Sequence, residues 1–367
     1  MTAQREAPIK TVTTWLSLGV ALSASGALLA GFPSPGDPPP PAPAPAAAAW
    51  PRAQRAVIPA TLPDGTAYQP ASFLDARTSV GTAPSKDAKS LRLVLLRAGQ
   101  PVRQLRTVPF TAGRSFQAFA VAGDVLAWAE GTPRTGIEVW TAGLRDRRPP
   151  QRVAVAGGAV DTYHSQYDLV INDGRVYWAS SGRGDLTNVR SVALAGGPVT
   201  TRAVPGAWQL SAWPWLVDGT TATSGTTRLR NLLTGREVAV PRSGRLSTTR
   251  CTPAWCEVVS LARDGDGDYR IHLMRPDGGA RMFVAGGTAA TVINDAAPLD
   301  RFAIFSQLGP TSELTGNIQL MAYEVATRRT VAVSPDANKV SYSNGVLWWA
   351  TGNLESFVWH SLDLRTV

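Results

Sequence analysis

The chain has 367 residues, 44% hydrophobic and 17% charged, with a formal net charge of +9. Its 34 glycines and 28 prolines exclude a fold of long helices, and its 12 tryptophans favour strands, where a broad side chain packs on a pleated face. Only Lys10, Lys86, Lys89 and Lys339 are lysines, and the arginines that carry the remaining positive charge are scattered, which argues against a nucleic-acid partner.

Residues 1–10 contain Arg5 and Lys10 and read as a cytoplasmic N-terminus. The uncharged run 11–32 follows, moderated by Thr13, Thr14, Ser17, Ser23 and Ser25. At ~1.5 Å per residue, such a helix spans the ~30 Å hydrocarbon core of a bilayer. Positive charge upstream of a span stays cytoplasmic, so the expectation is a single-pass cell-membrane protein with its C-terminal domain extracytoplasmic. Secretion after signal cleavage is the alternative. The run exceeds the ~7–15 residues of a signal h-region, and Ala21-Leu22-Ser23 and Ser23-Ala24-Ser25 are mediocre cleavage sites, so the anchor is favoured. No cysteine lies near enough for a lipoprotein.

Residues 33–56 form a Pro/Ala-rich linker. Proline fixes φ and removes the amide donor, so an extended, semi-rigid spacer is expected.

Residues 57–367 alternate short apolar stretches with Gly, Asp, Asn and Pro turns, the pattern of an all-β chain. One segment recurs: G-D-V-L-A-W-A-E-G at 123–131, G-R-V-Y-W-A-S-S-G at 174–182 and G-V-L-W-W-A-T-G at 345–352. Weaker copies lie at 213–219, 255–261 and 302–309. Taking Trp128, Trp178, Trp215, Val258, Phe305 and Trp349 as equivalent gives steps of 50, 37, 43, 47 and 44 residues. Four-stranded propeller blades repeat every ~40–50 residues, and seven such repeats fit the length best. A blade cannot bury both faces alone, whereas radial packing of blades does so. The expected fold is therefore an all-β, seven-bladed β-propeller of four-stranded antiparallel blades, preceded by the transmembrane helix and Pro-rich linker, and monomeric. The last repeat, from Lys339, shows three strands, and the segment 57–62 is expected to supply the fourth, with Pro59 confining it to an edge.

On these repeats the chain resembles WD40-like, TolB-like and YVTN-like β-propellers of secreted or membrane-anchored bacterial proteins. The resemblance is architectural and covers most of 57–367. No Trp-Asp dipeptide, Gly-His pair or sialidase Asp-box is present. The L-T-G-R turn at 233–236 is similar to quinoprotein repeats, but a single copy implies no cofactor.

Cys251 and Cys256 are the only cysteines and flank Thr252-Pro253-Ala254-Trp255, a sequence suited to a tight turn. In an oxidising compartment they are expected to form a disulfide. Asp264, Asp266 and Asp268 alternate with glycine, as in a calcium loop, but Tyr269 and Arg275 occupy the places of the EF-hand glycine and bidentate glutamate. A hairpin turn is the primary reading there, with Ca2+ a weak alternative and no other metal or cofactor expected. Arg145, Arg147, Arg148 and Arg152 read as a solvated loop rather than an anion patch. The only histidines, His164, His272 and His360, stand in no catalytic motif.

The function expected is non-catalytic recognition or scaffolding toward a protein, peptide or cell-envelope glycan. A propeller-based hydrolase or lyase with its site at the central funnel is the alternative. Carboxylates, histidine and arginine converging there would favour the enzyme, and an aromatic or apolar face patch would favour recognition.

Overall fold

The computed structural model describes residues 42–132, 136–146, 148–156, 160–219, 223–261, 268–353 and 356–367. The expected anchor 11–32 and residues 33–41 of the spacer lie outside the described residues, as do Asp264, Asp266 and Arg147. Among the described residues no helix is long and apolar enough to cross a membrane.

Five four-stranded antiparallel sheets follow one another along the chain. The first consists of Gln69–Asp75, Thr78–Pro84, Ser90–Arg97 and Arg103–Pro109, hydrogen-bonded in that order. The second runs from Ser115–Ala122 to Gln151–Ala156, the third from Val170–Asn172 to Thr200–Pro205, and the fourth from Trp208–Leu210 to Glu237–Ala239. The fifth begins with the hairpin Ser247–Cys251 and Cys256–Leu261 and ends with Met282–Ala285.

The remaining strands form an eight-stranded sheet in which seven strands make two sets of four and Ala44–Pro45 is added at the side. The two sets share the long strand Arg329–Ser343, which pairs with Ile318–Glu324 as far as Ala337 and with Val346–Thr351 from Asn338 onward. The described chain is thus an all-β series of four-stranded antiparallel sets, the arrangement of a β-propeller.

Burial grades across each set. Second strands are covered on both faces and read as continuous apolar runs, as in Phe302–Gln307 and Val346–Thr351. Fourth strands such as Thr200–Pro205 and Glu237–Ala239 are mostly exposed. The aromatic recurrence in the sequence marks the second strands. Trp128, Trp178, Val258, Phe305 and Trp349 all lie on them and are buried; Trp215 begins one and is half-buried. Alternate residues of these strands face opposite neighbours. Phe302 and Ile304 pack toward the last set, while Ala303 and Phe305 pack toward the fifth sheet.

The first and last sets meet directly. Arg55–Pro59 pairs antiparallel with Val358–Asp363, from Arg55 opposite Leu362 to Pro59 opposite Val358, and is the fourth strand of the last set. This is the closing strand expected from the sequence, starting two residues earlier. Pro59 sits on its edge, where a missing amide breaks no ladder bond. Across the seam Ile58, Trp348 and Trp359 pack on Tyr68, Phe73 and Val94, and the Trp359 indole donates to the Tyr68 carbonyl at 3.0 Å.

The compact unit includes the chain from Pro43 onward. Ala44–Pro45 pairs parallel with Val331 and Ala332, and a single turn, Ala46–Ala49, leads to Trp50. Trp50 is buried edge-on against Phe302, ring centroids 5.7 Å apart. Arg55 holds the turn by donating to the carbonyls of Ala46 (2.6 Å) and Trp50 (2.9 Å). The alanines that made this stretch look like spacer are what allow so close an approach.

Candidate axial site

The first strand of each set borders the axis. The third set begins late, at Val170, and the preceding segment 160–169 enters the axial space instead of following the rim. Its anchors come from a loop and a turn far away in sequence. Ser165 Oγ donates to Asp295 Oδ1 at 2.5 Å and the Gln166 amide to Asp295 Oδ2 at 3.2 Å. Asn294 Nδ2 donates to the Tyr163 carbonyl at 2.8 Å, and the Asn344 amide to Gln166 Oε1 at 3.2 Å. Asn344 is itself held by the Phe73 carbonyl (3.1 Å). Within the segment Asp168 Oδ2 accepts the amides of Tyr163 (2.9 Å) and Ser165 (3.3 Å), and His164 takes a left-handed conformation, φ 56°. The segment is a polar plug tied across the ring.

The plug divides the axial space into two cavities that share Ser165, Asn294 and Asp295. One, about 360 Å³, has Tyr163, Tyr167, Gln209, Thr226, Thr249 and Arg250 in its walls. The other, about 460 Å³, is bordered by Gln69, Gln117, His164, Gln166, Asp168 and Tyr342.

Burial pushes the Asp168 carboxyl up to about 7, against the amides of Tyr163 and Ser165, which favour its charged form. Its Oδ1 is buried with no hydrogen-bond partner. Burial also raises Asp295, to about 6, against the pull of Ser165, Gln166 and Arg250. Arg250 is engaged at its own end, donating to the Ile293 carbonyl and to Thr291 Oγ1, both at 3.0 Å. Across the ladder from it, buried Glu257 is pushed up to about 7 by desolvation. Tyr167 and Tyr342 are held above their ordinary range by burial, with the charge of Asp295 adding to it.

Of the residues singled out in the sequence, His164 borders the larger cavity and Cys251 the smaller one. His272 packs edge-on against Phe283 at 5.5 Å, and burial holds it below its ordinary range. His360 bonds Thr351 Oγ1 at 2.8 Å and stacks on Trp349. Cys251 and Cys256 are disulfide-bonded across the hairpin, whose turn is closed by the Thr252 amide on the Trp255 carbonyl (2.7 Å). Asp268 is exposed, and no group of metal-ligating side chains assembles among the described residues. Arg145, Arg148 and Arg152 disperse onto separate carboxylates, those of Asp124, Asp146 and Glu138. Ser165, Gln166, Asp168, Asn294, Asp295 and Asn344 were not anticipated. The one visible signal was the long polar run T-Y-H-S-Q-Y-D at 162–168.

No protein family matches the chain, and no curated protein matches it. Among solved structures it is similar to a prolyl endopeptidase (16% identity over 79% of this chain and 46% of that one, TM-score 0.47). It is also similar to a puromycin-hydrolyzing peptidase of Mycobacterium tuberculosis (13% identity, 89% and 54%, TM-score 0.48). A third likeness is to YCF48 bound to a peptide (10% identity, 85% and 95%, TM-score 0.46). The chain spans about half the length of the two peptidases.

Proposed function

We propose that the chain is an extracytoplasmic recognition module, a closed seven-bladed propeller held at the membrane by residues 11–32, that binds a cell-envelope glycan in the cavity walled by Tyr163, Gln209 and Thr249. The four-stranded sets and the seam from Arg55–Pro59 to Tyr68 support a closed ring of seven. The Cys251–Cys256 bond suits an oxidising compartment.

The observation that carries the reading is the state of the axial polar groups. Ser165 and Asp295 are spent on each other, Asp168 on the plug's amides and Arg250 on the neighbouring backbone. The walls of the smaller cavity also carry hydroxyls, the Gln209 amide and tyrosine side chains. Such a lining matches many weak donors and acceptors on an uncharged ligand and offers rings for sugar faces.

The test is a glycan-array screen with the full chain, repeated with Tyr163→Ala and Gln209→Ala. Retention of a glycan class by the parent and its loss in both variants is the expected result. No retention, or retention indifferent to both changes, would overturn the reading.

A second reading is supported by one observation: the raised carboxyl of Asp168, with an oxygen that bonds to nothing, is poised as a general acid. A hydrolase would turn over a retained glycan and lose turnover, but not retention, in Asp168→Asn.

A further inference from the structure

A further concavity, about 390 Å³, lies between the fourth and fifth sheets. Two short segments build it, residues 223–227 and 242–249. Their walls are fixed by backbone bonds. The Thr226 amide donates to the Thr249 carbonyl at 2.7 Å and the Thr249 amide to the Ser224 carbonyl at 3.2 Å. Gly225 permits this approach: its φ is +72°, and a Cβ there would collide with the Thr249 carbonyl.

Apart from Gly244 and the exposed Leu246, the lining carries hydroxyls and two guanidiniums, of Arg242 and Arg245, and no carboxylate among the described residues. Among the described residues neither arginine's side chain has an ion-pair or hydrogen-bond partner, and both are exposed. Elsewhere arginines near carboxylates pair with them, as Arg106 and Arg114 do with Glu130. Two free guanidiniums over a wall of hydroxyls present donors from two sides, which suits a tetrahedral oxyanion with acceptors in several directions. The volume exceeds one phosphate or sulfate and leaves room for the group that bears it. The cleft also shares Thr226, Thr248 and Thr249 with the axial cavity, so the two lie side by side.

We infer that this cleft is an oxyanion subsite, seating a phosphate or sulfate ester on Arg242 and Arg245 while the uncharged part of the same ligand reaches the axial cavity. The second half of that statement rests on the glycan-recognition reading; the subsite does not.

Calorimetric titration of the full chain with inorganic phosphate tests the subsite. R242A/R245A should weaken phosphate binding about tenfold or more, since each lost guanidinium removes a charge-assisted bond. The charge-matched control R328A/R329A, on the exposed turn between Ile318–Glu324 and Arg329–Ser343, should leave it unchanged. The parent should also weaken as salt is raised. Equal phosphate affinity in parent and R242A/R245A overturns the subsite, as does an equal loss in the control. Glucose 6-phosphate binding more tightly than glycerol 3-phosphate supports a glycan source for the ester, and the reverse order supports a lipid headgroup. A glycan whose retention is lost in Tyr163→Ala but not in R242A/R245A leaves the axial reading standing and overturns the shared ligand.

Discussion

Trp50 offers the sharpest test of where the folded domain begins. It is 7% exposed and packs with Phe302, Ile304, Leu347 and Leu362 between the last two sets. Replacing a buried tryptophan with alanine costs ~3–5 kcal/mol, with the cavity contribution set by how far the site collapses. Ala44–Pro45 and the following turn lie at the start of the described chain and can peel away, so the low end applies, about 3 kcal/mol. Unfolding entropy is ~2 cal/mol/K per residue, or ~0.7 kcal/mol per degree for a domain of this size, so Trp50→Ala should lower Tm by about 4–5 °C. Three truncations grade the effect. Removing residues 1–42 should leave Tm unchanged. Removing 1–52 should lower it at least as far as Trp50→Ala. Removing 1–63 takes away the closing strand with buried Ile58 and Leu62, and exposes the edge of Val358–Asp363. That protein should aggregate, because an open strand edge is a template for pairing. Calorimetric melts with light scattering give both readouts. A parental Tm for Trp50→Ala together with the 1–52 truncation would show that the segment adds nothing, and the packing argument would be wrong.

Three further outcomes follow from the polar interior. Asp168, Asp295 and Glu257 have folded-state values raised to about 7, 6 and 7 by burial, so the fold favours their protonated forms. The stabilisation they confer is complete below their ordinary carboxylate range and is lost as pH rises through 6 to 7; Tm should fall across that window, and Asp168→Asn with Glu257→Gln should flatten the profile. On the second sheet Glu130 and Glu138 face each other across the ladder with Arg114 Nη1 between them, at 2.6 and 3.0 Å. Although burial pushes Glu138 up, Arg114, Arg152 and the Trp140 indole hold it below its ordinary range. Arg114→Ala should cost about 3 kcal/mol in chemical denaturation by leaving two buried carboxylates opposed, and Glu130→Gln added to it should recover part of the loss. Cys251→Ser with Cys256→Ser should cost ~2 kcal/mol, the loop being short, and intact-mass measurement of the unreduced parent should show the bond.

The sequence carried the repeat because second strands are buried on both faces and must be apolar and bulky. It failed at the first set for a related reason. Thr78–Pro84 has Gly81 where an aromatic was expected, and Tyr68 from the preceding segment lies over that glycine, its hydroxyl 2.9 Å from Ser79 Oγ. The wedge is filled, but from outside the strand, so the period shows no marker there. Counting strands in the last set exposed the vacancy that Arg55–Pro59 takes. The seat of Trp50 could not be read, since a proline- and alanine-rich stretch looks the same whether it is solvated or docked. The axial site was illegible for a different reason: Ser165 and Asp295 are 130 residues apart, and neither stands in a local pattern.

The polar character of the plug bears on what the ring can do. An apolar segment would fill the axis more cheaply, because buried carboxyls are costly to desolvate and Asp168 retains an unsatisfied oxygen. Apolar filling, however, is non-directional and tolerates many poses. The bonds from Asn294, Asp295 and Asn344 reach the plug from two neighbouring sets and admit one pose, with Tyr163 and Tyr167 toward one cavity and His164 and Gln166 toward the other. Each cavity therefore has strand residues and the pinned segment in its walls. A ligand meeting such a pocket loses little of its affinity to ordering the protein. Loosening the Ser165–Asp295 tie would merge the two cavities and leave Tyr163 without a fixed position. Polar pinning thus sacrifices some stability at the axis and gains a preformed surface there, a trade that a purely structural ring does not need.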